Sequence, residues 1–336
     1  MNYLNEMIQQ AEYYHRWSWA MKLLTRQGCT YNIQPGSKEI KIAIIDSGVD
    51  RNHPDLAHSI VSEGKSFIDD MPATVDLSGH GTMMAGAIAA RGKLLGIGPG
   101  LGIVPYKIIQ TNNSGHSSDV IKAIDLAIDD RNDIINLSLG SYKSTIGESD
   151  AGLIREYNQI IRKAASKGII VVGSMGTHGM FLSKKSEYCH VPGGLSHVIS
   201  VAATNKEGML ADYSNYNSGN NYAVPAGDFG PSWKKERKPD FRSMCVVTYP
   251  AQLDQTPQSK AVKFDQGYEF MTGTSLAAAK MSGIIGLIQS QALEKRRQKL
   301  NKGQIIHLLR RTSKRLVHNG VVFYLVQPYE ALRLIY

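Results

Sequence analysis

Residues 40–56 read IKIAIIDSGVDRNHPDL, an apolar run that stops at an aspartate and passes into a turn rich in Gly, Asn and Pro. Ile40–Asp46 has the length of a strand, and its apolar residues are consecutive rather than alternating, as in a strand covered on both faces. The chain then repeats the theme. GHGTMMAGAIAA (79–90) reads as a helix whose Gly and Ala residues permit close packing. GIVPYKIIQ, DIINLSLG, IIVVGSMG and LSHVISVAAT read as further strands. Between them, SSDVIKAIDLAIDDRN and ESDAGLIREYNQIIRKAASKG carry apolar residues at helical spacing, with Val120, Ile121, Ile124, Ala127 and Ile128 turned toward a core. Alternating strands and helices predict a mostly parallel sheet with helices on both faces, an arrangement that binds ligands outside the carboxyl ends of its strands.

Asp46 ends the first of those strands, His80 opens the small-residue helix, and Ser275 opens a long buried helix in GTSLAAAKMSGIIGLIQSQALEK. Each alone has a plain structural use, in a turn or at a helix cap. Together they form a chemical set. A serine hydroxyl is a poor nucleophile until a neutral imidazole takes its proton, and a carboxylate can hold that imidazole in the required tautomer. The glycines beside His80 and Ser275 allow backbone and substrate to come close.

IIDSGVDRNHPDL, GHGTMMAG, INLSLG and GTSLAAAKMSG resemble, in order, the aspartate, histidine, substrate-strand and serine motifs of the subtilisin-like serine proteases, the subtilases. The likeness covers about residues 40–290. It implies an α/β, three-layer fold with a roughly seven-stranded, mostly parallel sheet, peptide-bond hydrolysis, and an Asp46–His80–Ser275 triad. It also implies that an extended substrate lies along Ser138, Leu139 and Gly140, that Ser174, Met175 and Gly176 wall the pocket for the residue before the cut, and that His178 lies on its rim. The Ser275 N–H would be one oxyanion donor. The family's second donor is an asparagine, where this chain has Thr177, whose hydroxyl reaches less far; loss of such a donor costs about 2.7–4 kcal/mol in the handling of the transition state.

Other departures are Met83 where the family often has histidine, Ala279 in place of proline, and Pro225-Ala226-Gly227 in altered order. Asp55 matches a residue that binds calcium in many subtilases, but the loop RGKLLGIG offers few oxygen ligands, so the reading is a turn or salt-bridge aspartate, with no metal and no cofactor.

A chain of 336 residues with 42% hydrophobic residues can bury a large core unaided. We divide it into an N-terminal helical extension (1–39, with a helix over 3–27 closed near Gly28), a catalytic domain (40–290) and a C-terminal extension packed on it (291–336). Cys29, Cys189 and Cys245 are odd in number and not spaced as metal ligands, which fits separate thiols in a reducing compartment. No signal-peptide pattern and no membrane-length apolar run is read, so the expectation is a cytoplasmic protein. The net charge of +9 is concentrated in KKERK (234–238) and in 294–315, without a nucleic-acid-binding signature, and reads as solvated surface. The expected partner is therefore a peptide or protein substrate, with neither nucleic acid nor membrane. DSGVDRNHP lacks the spaced glycines of a dinucleotide turn. Two alternatives stay open: a peptide-binding pseudoprotease, and a ligase that passes the acyl group to an amine. The N-terminal helix either docks its apolar face on the body or covers the cleft.

Overall fold

Strand β1 (Lys41–Asp46) is the reference for the whole molecule, because its alternate residues enter two separate cores. Ile42 and Ile44 face one side and Ala43 and Ile45 the other. The computed structural model describes residues 12–68, 71–110, 114–183, 185–217, 219 and 221–335. Along it run β2 (Lys65–Ser66), α1 (His80–Ala89), β3 (Gly102–Lys107), α2 (Ser117–Asp129), β4 (Ile134–Leu137), α3 (Glu148–Ser166), β5 (Ile170–Ser174), β6 (Val198–Thr204) and β7 (Asn221–Pro225). Helix α4 (Thr274–Arg296), β8 (Lys314–His318) and β9 (Val321–Leu325) complete the frame.

Among the described residues the main sheet has nine strands in the order β8-β9-β7-β6-β5-β4-β1-β3-β2, parallel throughout except for the β8–β9 hairpin. The sequence reading of about seven missed the edges. β2 is two residues long, and β8 (KRLVH) is a charged, mostly exposed edge strand without a core-strand pattern. β8 and β9 also carry the sheet into the segment read as a C-terminal extension.

Helices α1 and α4 lie on one face of the sheet, and α2 and α3 on the other. In α2, Val120, Ala123, Ile124, Ala127 and Ile128 are buried, as the periodicity requires, and Ile121 is half-buried against the same core. α4 is buried from Thr274 to Ala292 on nearly every side except at Ser275, so it shows no apolar stripe. Its small residues let α1 pack against it. No described helix is long and apolar enough to cross a membrane.

The N-terminal reading needs correction. Within the described residues the helix is broken at Ser18 into a helical piece over 12–17 and a helix at Trp19–Leu24, and residues 3–11 of the expected helix lie outside them. The Ser18 hydroxyl bonds the Tyr14 carbonyl at 2.9 Å, and the Trp19 indole donates to Met244 O at 2.8 Å. Gly28, at φ +89°, begins the next short helix (Cys29–Ile33) rather than ending the first. The segment docks through Tyr14, which is buried between the rings of Phe264 and Tyr268 at centroid distances of 5.3 and 4.6 Å. Replacing Tyr14→Ala therefore costs about 3–5 kcal/mol of stability, as for other large buried rings. Urea unfolding reads this directly, and a midpoint close to wild type, or a folded variant with raised peptidase activity, contradicts docking as the helix's role.

Candidate active site

Asp46 is fully buried at the carboxyl end of β1. A buried carboxylate has to be met by donors of the protein itself. Its Oδ1 accepts from the Ser47 N–H at 2.8 Å, and its two oxygens lie 2.8 and 2.9 Å from Nδ1 of His80. With the Nδ1 proton given to the carboxylate, Nε2 is left with its lone pair, the tautomer that can accept a proton.

Helix α1 reaches Asp46 because its first turn has almost no side chains. A methyl on Gly81 would sit 2.0 Å from the Gly48 carbonyl and 3.2 Å from Cβ of Asp46. Gly79, at φ +94°, enters the helix in a conformation that most residues avoid. The orphan N–H groups at this end go to Asp76, which the sequence reading missed. Its Oδ1 accepts from Ser78 and Gly79 at 3.0 and 2.8 Å, and its Oδ2 from the Thr82 N–H and hydroxyl at 2.9 and 2.7 Å. An aspartate four residues before His80 is an N-terminal capping signal that could have been read. Lys107, also missed, is buried at the end of β3, and its ammonium donates to the carbonyls of Ser47 and Val75, tying the Asp46 and Asp76 loops together. A lysine inside the apolar run VPYKII was the available sign.

Burial lowers the His80 pKa, but the Asp46 charge, the hydrogen bond to it and the charge of Asp76 outweigh burial, and the net shift is upward from 6.5. Burial raises the pKa of Asp76 against its four hydrogen bonds. Burial lowers that of Lys107, opposed by Asp76 and Asp46.

Ser275 is half-buried in the first turn of α4, after Gly273. Its hydroxyl donates to the Ser138 carbonyl at 2.9 Å, and the Ser138 hydroxyl donates to the Ser275 carbonyl at 2.8 Å. Asn136 extends this lock: its amide donates to Ser138 Oγ at 3.0 Å, and its oxygen accepts from Ser282 at 3.0 Å. The end of β4 and the start of α4 are thus one unit. Leu139 is half-buried and Gly140 is exposed beside it.

The loop after β5 joins the same unit through the Gly176 N–H, which donates to the Thr274 hydroxyl at 3.2 Å. Ser174 and Gly176 are buried, whereas Thr177 and His178 are exposed. Met175 differs from the reading of it as pocket wall: its side chain packs with Ala202, Ala223 and Phe323 in a small core. Asn215, also missed, holds this loop. Its oxygen accepts from the His178 and Met180 N–H groups at 3.1 and 2.9 Å, and its amide donates to Met175 O at 3.0 Å.

Asp55 does not fit calcium. Its carboxylate oxygens accept from the Lys93 and Leu94 N–H groups at 3.1 and 2.9 Å, and its carbonyl from Arg91 at 2.9 Å. Oxygens aimed at N–H donors are not a cage of six to eight oxygen ligands.

A buried carboxylate gripping an imidazole at the end of the first parallel strand, and a helix-opening serine locked to the end of β4, belong with the subtilisin-like class. The chain is a member of the subtilase family of serine proteases, whose family pattern matches residues 37–325. It is 31% identical over 307 residues to the major intracellular serine protease of Bacillus subtilis, covering 87% of this chain and 83% of that protein. It is 31% identical over 310 residues to the nisin leader peptide-processing serine protease of Lactococcus lactis, covering 81% of this chain and 43% of the relative. A crystal structure of a lanthipeptide protease superposes with a TM-score of 0.87 at 31% identity, covering 96% of each chain.

Asp46→Asn removes the charge that holds the His80 pKa up and leaves burial to pull it down. An NMR titration of the His80 ring then gives a pKa lower than in the wild type. An unchanged value is incompatible with Asp46 as the source of the shift.

Proposed function

We propose that the chain is an endopeptidase that cuts peptide bonds through Asp46, His80 and Ser275. The two-oxygen grip of Asp46 on His80 Nδ1 carries this reading, because it leaves Nε2 as the free base at the mouth of the sheet. A peptide lying along Ser138–Gly140 pairs its backbone with theirs, and a substrate N–H that takes the Ser138 carbonyl releases the Ser275 hydroxyl. The freed hydroxyl then donates to His80 Nε2. His80 accepts the proton as Oγ attacks the carbonyl carbon, then gives it to the leaving amine, so that an ester to Ser275 remains. Water activated by the same imidazole hydrolyses the ester and restores the serine. The Ser275 N–H, at the positive end of a 23-residue helix, faces the developing oxyanion, and the Thr177 hydroxyl supplies the second donor.

The substrates we assign are peptides or proteins processed inside the cell. Three free cysteines and the likeness to the Bacillus intracellular protease support the compartment, and the likeness to leader-processing proteases supports limited processing rather than digestion. A second reading, a peptide binder that turns over poorly, is favoured by Thr177 and by the commitment of the Ser275 proton to Ser138.

A serine-directed fluorophosphonate separates the two readings. The wild type is labelled at Ser275 and Ser275→Ala is not; a wild type that resists labelling leaves only the binder. Thr177→Val lowers kcat by about 10²-fold with little change in KM, the ordinary loss for one oxyanion donor, whereas Thr177→Asn retains or raises it. Equal kcat for Thr177→Val and wild type removes Thr177 from the site.

A further inference from the structure

Side chains that the triad does not use gather against Gly140 and Gly176, in the segments Ser138–Gly140 and Ser174–Gly176 where the substrate is proposed to lie. A methyl on Gly140 would stand 2.4 Å from Cε1 and 2.6 Å from Nε2 of His190. One on Gly176 would stand 2.6 Å from the Asn215 amide, 2.7 Å from the Tyr142 hydroxyl and 2.9 Å from Cδ2 of His190. His190 and Tyr142 are directly opposite each other in the antiparallel pair Ser141–Ser144 and Tyr188–Val191. Their rings meet edge-on at 5.2 Å, and His178 packs edge-on against the other side of Tyr142 at 4.6 Å.

The hydrogen-bonding capacity of this cluster is one-sided. Tyr142 accepts from the Asn215 amide at 2.6 Å, which leaves its own O–H free to donate. His190 is only 4% exposed; its Cε1 and Nε2 face Gly140, while its Nδ1 lies on the opposite side of the ring, toward Gly193 and the Ser174 carbonyl. Burial pushes its pKa down to about 4, with the Ser174 carbonyl opposing and His178 adding to the fall, so the ring is neutral in the empty groove. Among the described residues no carboxylate is paired with Tyr142, His178 or His190; the nearby Lys143 is already matched to Asp150 at 3.5 Å. The polar groups offered toward Gly140 and Gly176 are therefore Nε2 of His190 and the Tyr142 hydroxyl, and a buried polar group is costly unless it is met by another.

We propose that this groove selects substrates with a carboxylate side chain on the residue before the cut, received by the Tyr142 hydroxyl and the imidazoles of His190 and His178. The assignment rests on the endopeptidase reading above and names its substrate class. A carboxylate brings acceptors to a cluster of donors, and its charge draws a proton onto an imidazole that is otherwise neutral. A guanidinium or ammonium side chain would bring only donors and has no carboxylate to meet. A leucine would offer the Tyr142 hydroxyl no acceptor. The positive net charge of the chain favours encounter with acidic segments in general.

The test is a set of fluorogenic peptides identical except for Glu, Gln, Leu or Arg before the cut, assayed on the wild type, Tyr142→Phe and His190→Gln. Fluorophosphonate labelling of each protein is run alongside. The wild type cleaves the Glu peptide with kcat/KM about tenfold or more above Gln, and further above Leu and Arg. Tyr142→Phe, which keeps the ring and so the fold, narrows the Glu-to-Gln ratio severalfold, and His190→Gln narrows it further if it folds. Preference for Leu or Arg, equal use of Glu and Gln, or an undiminished ratio in Tyr142→Phe overturns the specificity while labelled Ser275 leaves the endopeptidase reading intact. Absence of both cleavage and labelling overturns the endopeptidase reading itself.

Discussion

A carboxylate with no contact with water is the constraint around which this molecule is organised. Asp46 has to be answered by donors within reach, and the answers are the Ser47 N–H and the His80 ring. For His80 to arrive, α1 must approach the end of β1 to within the thickness of a glycine, which fixes Gly81, and its helix terminus must be satisfied where water does not enter, which fixes Asp76. Two buried carboxylates then stand near each other. Lys107 reaches between their loops and offsets the charge, while its bonds to the Ser47 and Val75 carbonyls hold the backbone on both sides. Chemistry at His80 is thus an outcome of how buried charge is neutralised.

The second half of the site is built differently. Ser275, Ser138, Asn136 and Ser282 exchange neutral hydrogen bonds of 2.8–3.0 Å between a strand end and a central helix. Neutral bonds of this kind are individually modest, and their value lies in fixing position. In the proposed reaction the reciprocal serine pair is also the part that a substrate backbone disturbs, since it uses the Ser138 carbonyl. The charged half is rigid by necessity, and the neutral half can exchange partners.

Most of the frame was legible before any coordinates. Runs such as IKIAIID and IIVVGS announce buried parallel strands, and the Ile, Val and Ala spacing of 117–129 announces the face that α2 buries. Strand ends with Asp46, Ser138 and Ser174, and helix starts with His80 and Ser275, could be listed in advance because parallel sheets present groups there. What could not be read was pairing across distance. His190 and Tyr142 are 48 positions apart in the chain, and only the strand register sets one opposite the other. Asn215 lies in a stretch rich in Tyr, Asn and Gly that reads as loop, yet its side chain holds residues 175–180 and Tyr142 together. The break at Ser18 combines a local effect, a serine hydroxyl bonding a carbonyl of its own helix, with a distant one, the Trp19 indole finding the Met244 carbonyl, and together they override periodicity.

The corner around Asp55 shows how one local loss is met by another local gain. The 91–96 loop is too short in oxygen ligands to hold a cation, so the Asp55 carboxylate turns to the Lys93 and Leu94 N–H groups instead. That choice leaves the Lys93 side chain pointing outward, where it bonds Asp265 at 2.6 Å. Asp265 in turn donates its N–H to the Tyr14 hydroxyl at 2.7 Å, and Tyr14 is the ring by which the N-terminal helix is seated. The N-terminal segment and the rebuilt loop therefore form one connected structure. The N-terminal segment is thereby tied to that corner, which backbone donors and an ion pair hold in place.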